Sequence, residues 1–254
     1  MGLRLRDEGH NTPKPLARIG ARPILWHLMK YYAHYGHKDF ILCLGYRSEA
    51  FKDYFLNYAE TYSNDFVLSG GGKHVELCSR DIDDWTIRFV DTGLHSNIGM
   101  RLKAVEEHLV GEDAFLANYS DGLSDLPLDE YLDRFRSHGR IASFVSVRNN
   151  AVSHLVESDP DGTVTAIRSL SDSDIRINGG FFAFRKEIFD YIEPGDELVV
   201  EPFERLMKER QLVAYRHDGF WQCMDTFKDK QALEEMAAQD TMPWQVWRQR
   251  PEKP

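Results

Sequence analysis

The sequence predicts an α/β protein built on a doubly wound, mostly parallel, Rossmann-like sheet, with a smaller β-rich part in its second half. Apolar residues alternate between helical and extended periodicity along residues 1–148. The helical runs open on Pro or Ser and close near Gly. Beyond residue 148 the extended runs shorten and turn signals separate them.

Residues 23–34 read as the first helix. Ile24, Leu25, Leu28, Met29 and Tyr32 share a face, Pro23 stands at the start and Gly36 lies just past the end. Residues 40–46 read as a buried strand, and Ser48 is placed to cap a second helix carrying Phe51, Tyr54, Phe55 and Tyr58. A strand at 86–90, a helix at 102–109 and a strand at 114–119 follow, the last ending in Ser120-Asp121-Gly122. Residues 131–138 are helical and 141–147 extended. Ligands of such sheets bind beyond the carboxyl ends of the strands, which singles out Asp91-Thr92-Gly93 and Asp121-Gly122. Further on, 152–157 and 163–168 flank the hairpin signal Asp159-Pro160-Asp161-Gly162. Residues 179–184 form another strand, and 201–210 and 229–238 are helical. The tail from 242, with Trp244 and Trp247, suits either a cover over its own chain or an interface between copies.

Of the 254 residues 42% are apolar, enough for an ordinary core, and the net charge is -10. That charge argues against a nucleic-acid partner, which needs a basic face. An acidic protein that handles phosphates must instead concentrate positive charge locally or recruit a cation. Cys43, Cys78 and Cys223 are scattered and odd in number, so neither a zinc cluster nor a disulfide framework is indicated, and a reducing cytoplasm is expected. Apolar runs such as 40–44 are strand-sized, which points away from the membrane.

The chain opens Met-Gly-Leu-Arg-Leu-Arg, with Pro13-Lys14-Pro15 further on. Gly2 permits close backbone approach to a ligand. Arg4 and Arg6 carry forked donors suited to phosphate, and the two prolines stiffen the backbone around Lys14. A frayed basic terminus and a phosphate-gripping head both fit these residues.

The wider set of motifs decides between them. Gly2, Arg4 and Leu5, then Pro13-Lys14-Pro15, resemble the opening of sugar-1-phosphate nucleotidyltransferases, Gly-Gly-x-Gly-x-Arg-Leu followed by Pro-Lys-Pro. Pro23-Ile24-Leu25-Trp26-His27, Val90-Asp91-Thr92-Gly93, Gly99-Met100-Arg101-Leu102-Lys103, Tyr119-Ser120-Asp121-Gly122, Ile177-Asn178-Gly179-Gly180-Phe181-Phe182 and Gly219-Phe220-Trp221-Gln222-Cys223-Met224-Asp225-Thr226 look like the glucose-1-phosphate cytidylyltransferase branch. Each is short, and their order together is specific. Met1 falls between the family's glycines. Against the resemblance, the family's first strand and first two glycines are therefore absent from the sequence given; a gene start called too late is the favoured reading, and a shortened, inactive protein the alternative.

The resemblance implies a fold of the nucleotide-diphospho-sugar transferase type in one domain. Its nucleotide-binding half would span 1–148, its sugar- and metal-binding half 149–225, and its C-terminal helix and tail 226–254. It implies a reaction in which a sugar 1-phosphate attacks the α-phosphate of a nucleoside triphosphate and pyrophosphate leaves. CTP and glucose 1-phosphate are the favoured pair, with UTP or dTTP as alternatives. Positioning and electrostatics would do most of the work. Asp121 and Asp225 match the family's two carboxylates for Mg²⁺. Arg4 and Lys14 match contacts to the triphosphate and sugar phosphate, so Arg4, Lys14 and Asp121 form the expected catalytic set. Gly2, Ser96 and Arg101 match nucleotide contacts, and Asn178 and Gly179 the sugar pocket. A cytoplasmic homo-oligomer is also implied.

Two departures qualify the match. The family's Thr-Gly-Gly-Arg reads Ile98-Gly99-Met100-Arg101, and its Glu-Lys-Pro, whose lysine grips the sugar phosphate, reads Arg168-Ser169-Leu170-Ser171. Arg168 or Arg176 would have to replace that lysine. A non-catalytic relative retaining the fold, or a glycosyltransferase using Asp81-Ile82-Asp83 or Asp172-Ser173-Asp174 for metal, are the competing readings; both Asp-x-Asp pairs read more naturally as solvated loops.

Overall fold

A computed structural model describes residues 12–148, 154–170 and 173–248. In chain order the elements are β1 (Arg18–Ile19), β2 (Arg22–Pro23), α1 (Ile24–His34), β3 (Asp39–Leu44), α2 (Ser48–Leu56), β4 (Phe66–Ser69), β5 (His74–Leu77), β6 (Thr86–Asp91) and α3 (Ile98–Ala104). Next come β7 (Ala114–Asn118), β8 (Gly122–Ser124), α4 (Leu128–His138), β9 (Ala142–Arg148), β10 (His154–Ser158), β11 (Val164–Ser169) and β12 (Arg176–Arg185). The chain closes with α5 (Glu201–Lys208), β13 (Leu212–His217), β14 (Trp221–Cys223) and α6 (Phe227–Ala238).

The expected α/β class holds. β3 and β6 pair in parallel, and a four-stranded sheet runs in the order β13-β9-β12-β7. Within it β13 is parallel to β9, whereas β12 is antiparallel to both neighbours. Among the described residues between β9 and β12 the chain forms the β10–β11 hairpin and no crossover helix, which suits antiparallel pairing.

Side chains of β12 alternate between two cores, as the pleat requires. Phe181 and Ala183 join Val145 and Val147 of β9 against α1 and α4. Phe182 and Phe184 join Leu102 of α3 and Phe203 and Leu206 of α5 on the other face. Helices thus cover both faces. Among the described residues no helix is long and apolar enough to cross a membrane.

Helix α1 carries more than the single apolar face expected of it, since Trp26, His27 and Tyr31 are buried as well. The tail covers its other side. Trp244 is fully buried, its ring set edge-on to His27, and Trp247 meets Trp26 edge-on. These residues cover their own chain. Two helix starts also differ from expectation. Ser48 is the first helical residue of α2, after Arg47 in the left-handed conformation, φ 56°. Helix α3 begins at Ile98, because Asn97 Oδ1 accepts from the Met100 amide at 2.9 Å.

Asp81 is no solvated loop residue. It is buried and accepts from Tyr58 (3.1 Å), Asn64 (2.9 Å), Lys30 (3.1 Å) and Ser63. Arg22, over the Tyr58 ring at 4.0 Å, binds Ser63 and the Ala59 carbonyl within the same network. Asp83 turns away to pair with Arg80. This Asp-x-Asp pair is therefore divided between a structural hub and a surface ion pair. The other pair lies partly outside the described residues.

His27 Nε2 donates to the Ile19 carbonyl at 2.9 Å, and Nδ1 accepts from the Trp244 indole at 3.3 Å, which fixes a neutral imidazole. Burial, with a smaller push from Arg248, lowers its pKa to about 4. An unfolded histidine takes its proton near pH 6.5, so between pH 6.5 and 4 the unfolded chain binds a proton that the folded one refuses. Stability is expected to fall as pH drops through that window, by roughly 3 kcal/mol from this group. Urea unfolding against pH, with NMR titration of the His27 ring, checks it; a ring titrating near 6.5 in the folded protein would refute the assignment.

Candidate active site

Lys14 lies in a short 3₁₀ turn, Lys14–Leu16, entered from Pro13 in an extended conformation. Its ammonium donates to Asp121 Oδ2 at 2.7 Å and to Asp225 Oδ1 at 2.6 Å. Three of the residues singled out by sequence thus meet at one point, although Lys14 and Asp225 stand 211 positions apart.

Strand pairing brings the two carboxylates together. Asp121 immediately precedes β8 and Asp225 lies just beyond β14. These strands pair antiparallel with Gly122 opposite Cys223, and the Met224 amide donates to the Asp121 carbonyl at 2.9 Å. The approach to Asp121 is a tight turn, with Ser120 at φ 68° and its amide bonded to Asn118 Oδ1 at 2.8 Å. On the other side Thr226 and Asp229 form a capping box for α6, and Asp229 Oδ2 also accepts from the Asp225 amide at 3.1 Å. Thr226 is therefore the helix cap, which leaves the Asp225 carboxylate facing Lys14.

The cluster is graded in depth. The Asp121 side chain is 26% exposed and that of Asp225 61%, so one carboxylate is the floor and the other the rim. Burial pushes the Asp121 carboxyl above its ordinary range, Lys14 pulls it back, and the Asp225 charge adds to the push. Burial also opposes the Lys14 charge, but the two carboxylates outweigh it and raise its pKa. A positive charge is what this place demands.

The remaining expected residues fall into further groups. Arg101 Nη1 donates to the Leu44 carbonyl at 3.1 Å and to Thr92 Oγ1 at 2.7 Å, spanning the ends of β3 and β6. Ser96 Oγ caps the Thr92 carbonyl beside it. Asn178 Oδ1 accepts from the Gly180 amide at 2.9 Å, while its Nδ2 donates to the Tyr119 hydroxyl at 3.2 Å. The Gly179 carbonyl accepts from the Trp221 indole at 2.8 Å. Arg168 stands on the exposed face of the β10–β11 hairpin, paired with Glu157 at 3.2 Å. Arg176 is committed to the Ser146 and His217 carbonyls and to Asp218. Gly2 and Arg4 lie outside the described residues.

Tyr119 and Trp221 join this site without having been singled out. Both sit inside recognised motifs, and a ring beside a glycine was the available signal. A cavity of about 980 Å³ opens elsewhere, beside the Asp81 hub. Its cations Lys30, Arg80 and Arg248 are already paired with Asp81, Asp83 and Asp240, and Arg22 is engaged by Ser63 and the Ala59 carbonyl. It therefore offers no free charge to a phosphate.

The fold is that of the nucleotide-diphospho-sugar transferases. HddC from Yersinia pseudotuberculosis superposes with a TM-score of 0.64 at 18% identity, covering 92% of this chain and 94% of that one. A UDP-glucose pyrophosphorylase in complex with UDP-glucose gives 0.64 at 12% identity over 91% of this chain and 92% of its own. No family model matches the chain. The glucose-1-phosphate cytidylyltransferase of Salmonella typhimurium is 36% identical over 253 residues, 97% of this chain and 96% of that protein. That of Salmonella typhi is 35% identical over 249 residues, with the same coverage. The chain belongs to the glucose-1-phosphate cytidylyltransferase family of sugar-1-phosphate nucleotidyltransferases.

Gly180 shows how tightly the start of β12 is built against Tyr119. Its φ is +75°, and a Cβ there would stand 2.8 Å from the Tyr119 ring. Gly180→Ala is expected to destabilise the protein by about 1–3 kcal/mol, through left-handed strain and displacement of Tyr119. Urea denaturation measures it, and an unchanged midpoint would refute the packing described.

Proposed function

We propose that the protein joins CTP to glucose 1-phosphate, giving CDP-glucose and pyrophosphate. The convergence of Asp121, Asp225 and Lys14 supports this reading most directly, because it gathers groups of both charges where two phosphates must meet. In the reaction a phosphate oxygen of the sugar 1-phosphate forms a bond to the α-phosphorus of CTP. The bond from that phosphorus to the bridging oxygen breaks, and pyrophosphate carries away the electron pair. Lys14 lies where its ammonium can neutralise phosphate oxygens as charge shifts among them. Gly2 and Arg4 are assigned to the triphosphate by their motif, and Ser96 and Arg101 to the nucleotide end.

The donor set fits a divalent ion. Two carboxylates already converge on one cation, and among the described residues no cluster of three or more His, Cys, Asp or Glu side chains encloses a metal. Such a pair suits Mg²⁺, which keeps waters and takes its other ligands from substrate phosphates. Asp121 and Asp225 would hold it, and it would neutralise phosphate charge. The charged substrates suit a cytoplasmic setting.

Assays of pyrophosphate release with CTP, UTP, dTTP and GTP against a set of sugar 1-phosphates test the reading. CTP with glucose 1-phosphate is expected to give the highest kcat/KM. Asp121→Ala, Asp225→Ala and Lys14→Ala are each expected to lower it by about 100-fold or more. No release with any pair would remove the proposal.

A further inference from the structure

Strand β12 loses its regular pairing just where Asn178 and Gly179 stand, the two residues that their motif assigns to the sugar. Asn178 pairs with Ser146 of β9, and the pairing resumes only at Phe182, opposite Phe144. Residues 179–181 of β12 thus stand where β9 offers Val145. Such a bulge bends its strand and re-aims the side chains beside it.

Backbone groups taken out of a ladder need other partners. The Gly180 amide finds one in Asn178 Oδ1 at 2.9 Å, and the Gly180 carbonyl accepts from the Tyr119 amide at 3.3 Å. Both of these come from the sheet that contains the bulge or from the turn just after β7. The Gly179 carbonyl is served from elsewhere. It accepts from the Trp221 indole at 2.8 Å, and Trp221 belongs to β14.

The indole reaches that carbonyl through space that two glycines leave open. A Cβ on Gly122 would stand 3.5 Å from the indole nitrogen, and one on Gly179 would stand 3.3 Å from it. Gly122 follows Asp121 in the chain, and Gly179 follows Asn178. Trp221 also faces Ser124 in the ladder where Gly122 faces Cys223. The strand pair that sets Asp121 and Asp225 therefore carries the indole as well. One side-chain hydrogen bond ties this pair to the bulge of the neighbouring sheet.

A sugar 1-phosphate is a compact ligand with its phosphate at one end and hydroxyls around the ring. Holding both parts productively requires a fixed distance between the groups that receive them. An indole suits that task, since it is a rigid ring with few rotatable bonds and one directed donor. We propose that Trp221 is a positioning residue for the sugar 1-phosphate. By holding the Gly179 carbonyl, its indole N–H sets the distance between the bulge that bears Asn178 and the strands that bear Asp121 and Asp225. The inference rests on the proposed function for the identity of the ligand. A role confined to stability is the rival reading, and the test separates the two.

The full-length protein is compared with two replacements. Trp221→Phe keeps an aromatic ring and loses the donor. Benzothienylalanine incorporated at the same position keeps the bicyclic shape and carries sulfur where the N–H stood. Both are expected to raise KM for glucose 1-phosphate, and its calorimetric Kd, by about 3- to 10-fold, the range for one neutral hydrogen bond. KM for CTP is expected to hold. Amide hydrogen exchange is expected to quicken at Tyr119 and Gly180, whose bonds close the bulge, and to stay as it was in α6. If Trp221→Phe fails to fold, the isosteric replacement decides. Equal rises in KM for both substrates would mark a role in stability and overturn the inference. Unchanged constants would overturn it too, as would a rise in KM without faster exchange, since Trp221 would then act otherwise than through the bulge. If no triphosphate and sugar pair releases pyrophosphate, the functional reading fails, and calorimetry with glucose 1-phosphate still decides Trp221. No binding by the unmodified protein, or equal binding with and without the indole N–H, refutes the inference.

Discussion

Asp121 and Asp225 are like charges in one half-buried place, and the Lys14 ammonium between them makes their proximity tolerable. Much of the local architecture serves that arrangement. Pairing of β8 with β14 sets the separation of the carboxylates, the capping box of α6 turns Asp225 inward, and the Pro13-Lys14-Pro15 turn delivers the lysine. Because the β8–β14 ladder fixes the backbone on either side of the two carboxylates, the site retains its demand for positive charge.

The frame behind the site is stiff for a reason visible in β12. Its residues alternate between two aromatic cores, so neither face can shift alone. The first residues of β12 and the turn after β7 therefore meet at fixed spacing, Asn178 holding Tyr119 and Trp221 closing over Gly179. The start of α3 rests on the loop before α5 through the Asn97 side chain and the close approach of Gly99 to the Asp196 carbonyl.

The helices and strands of the first half were legible because their periodicity was strong, and the site because its motifs kept their order. Lys14, Asp121 and Asp225 were found that way, their meeting at one ammonium being a matter of register that no local pattern encodes. The burial of Asp81 was not legible. Its neighbours Arg80, Asp83 and Asp84 are polar, and only the return of Tyr58, Ser63 and Lys30 to the same spot makes it a hub. The reversed β12 was hidden for a related reason, since periodicity reports which face is buried and not which way a strand runs.

The β8–β14 ladder also sets a schedule. Asp121 leaves the ribosome long before Asp225, and the strand that will align them is among the last segments made. Until β14 docks, the nascent chain holds Lys14 and Asp121 without their third partner, so the shared ion pair closes only once the segment through Asp225 has been made.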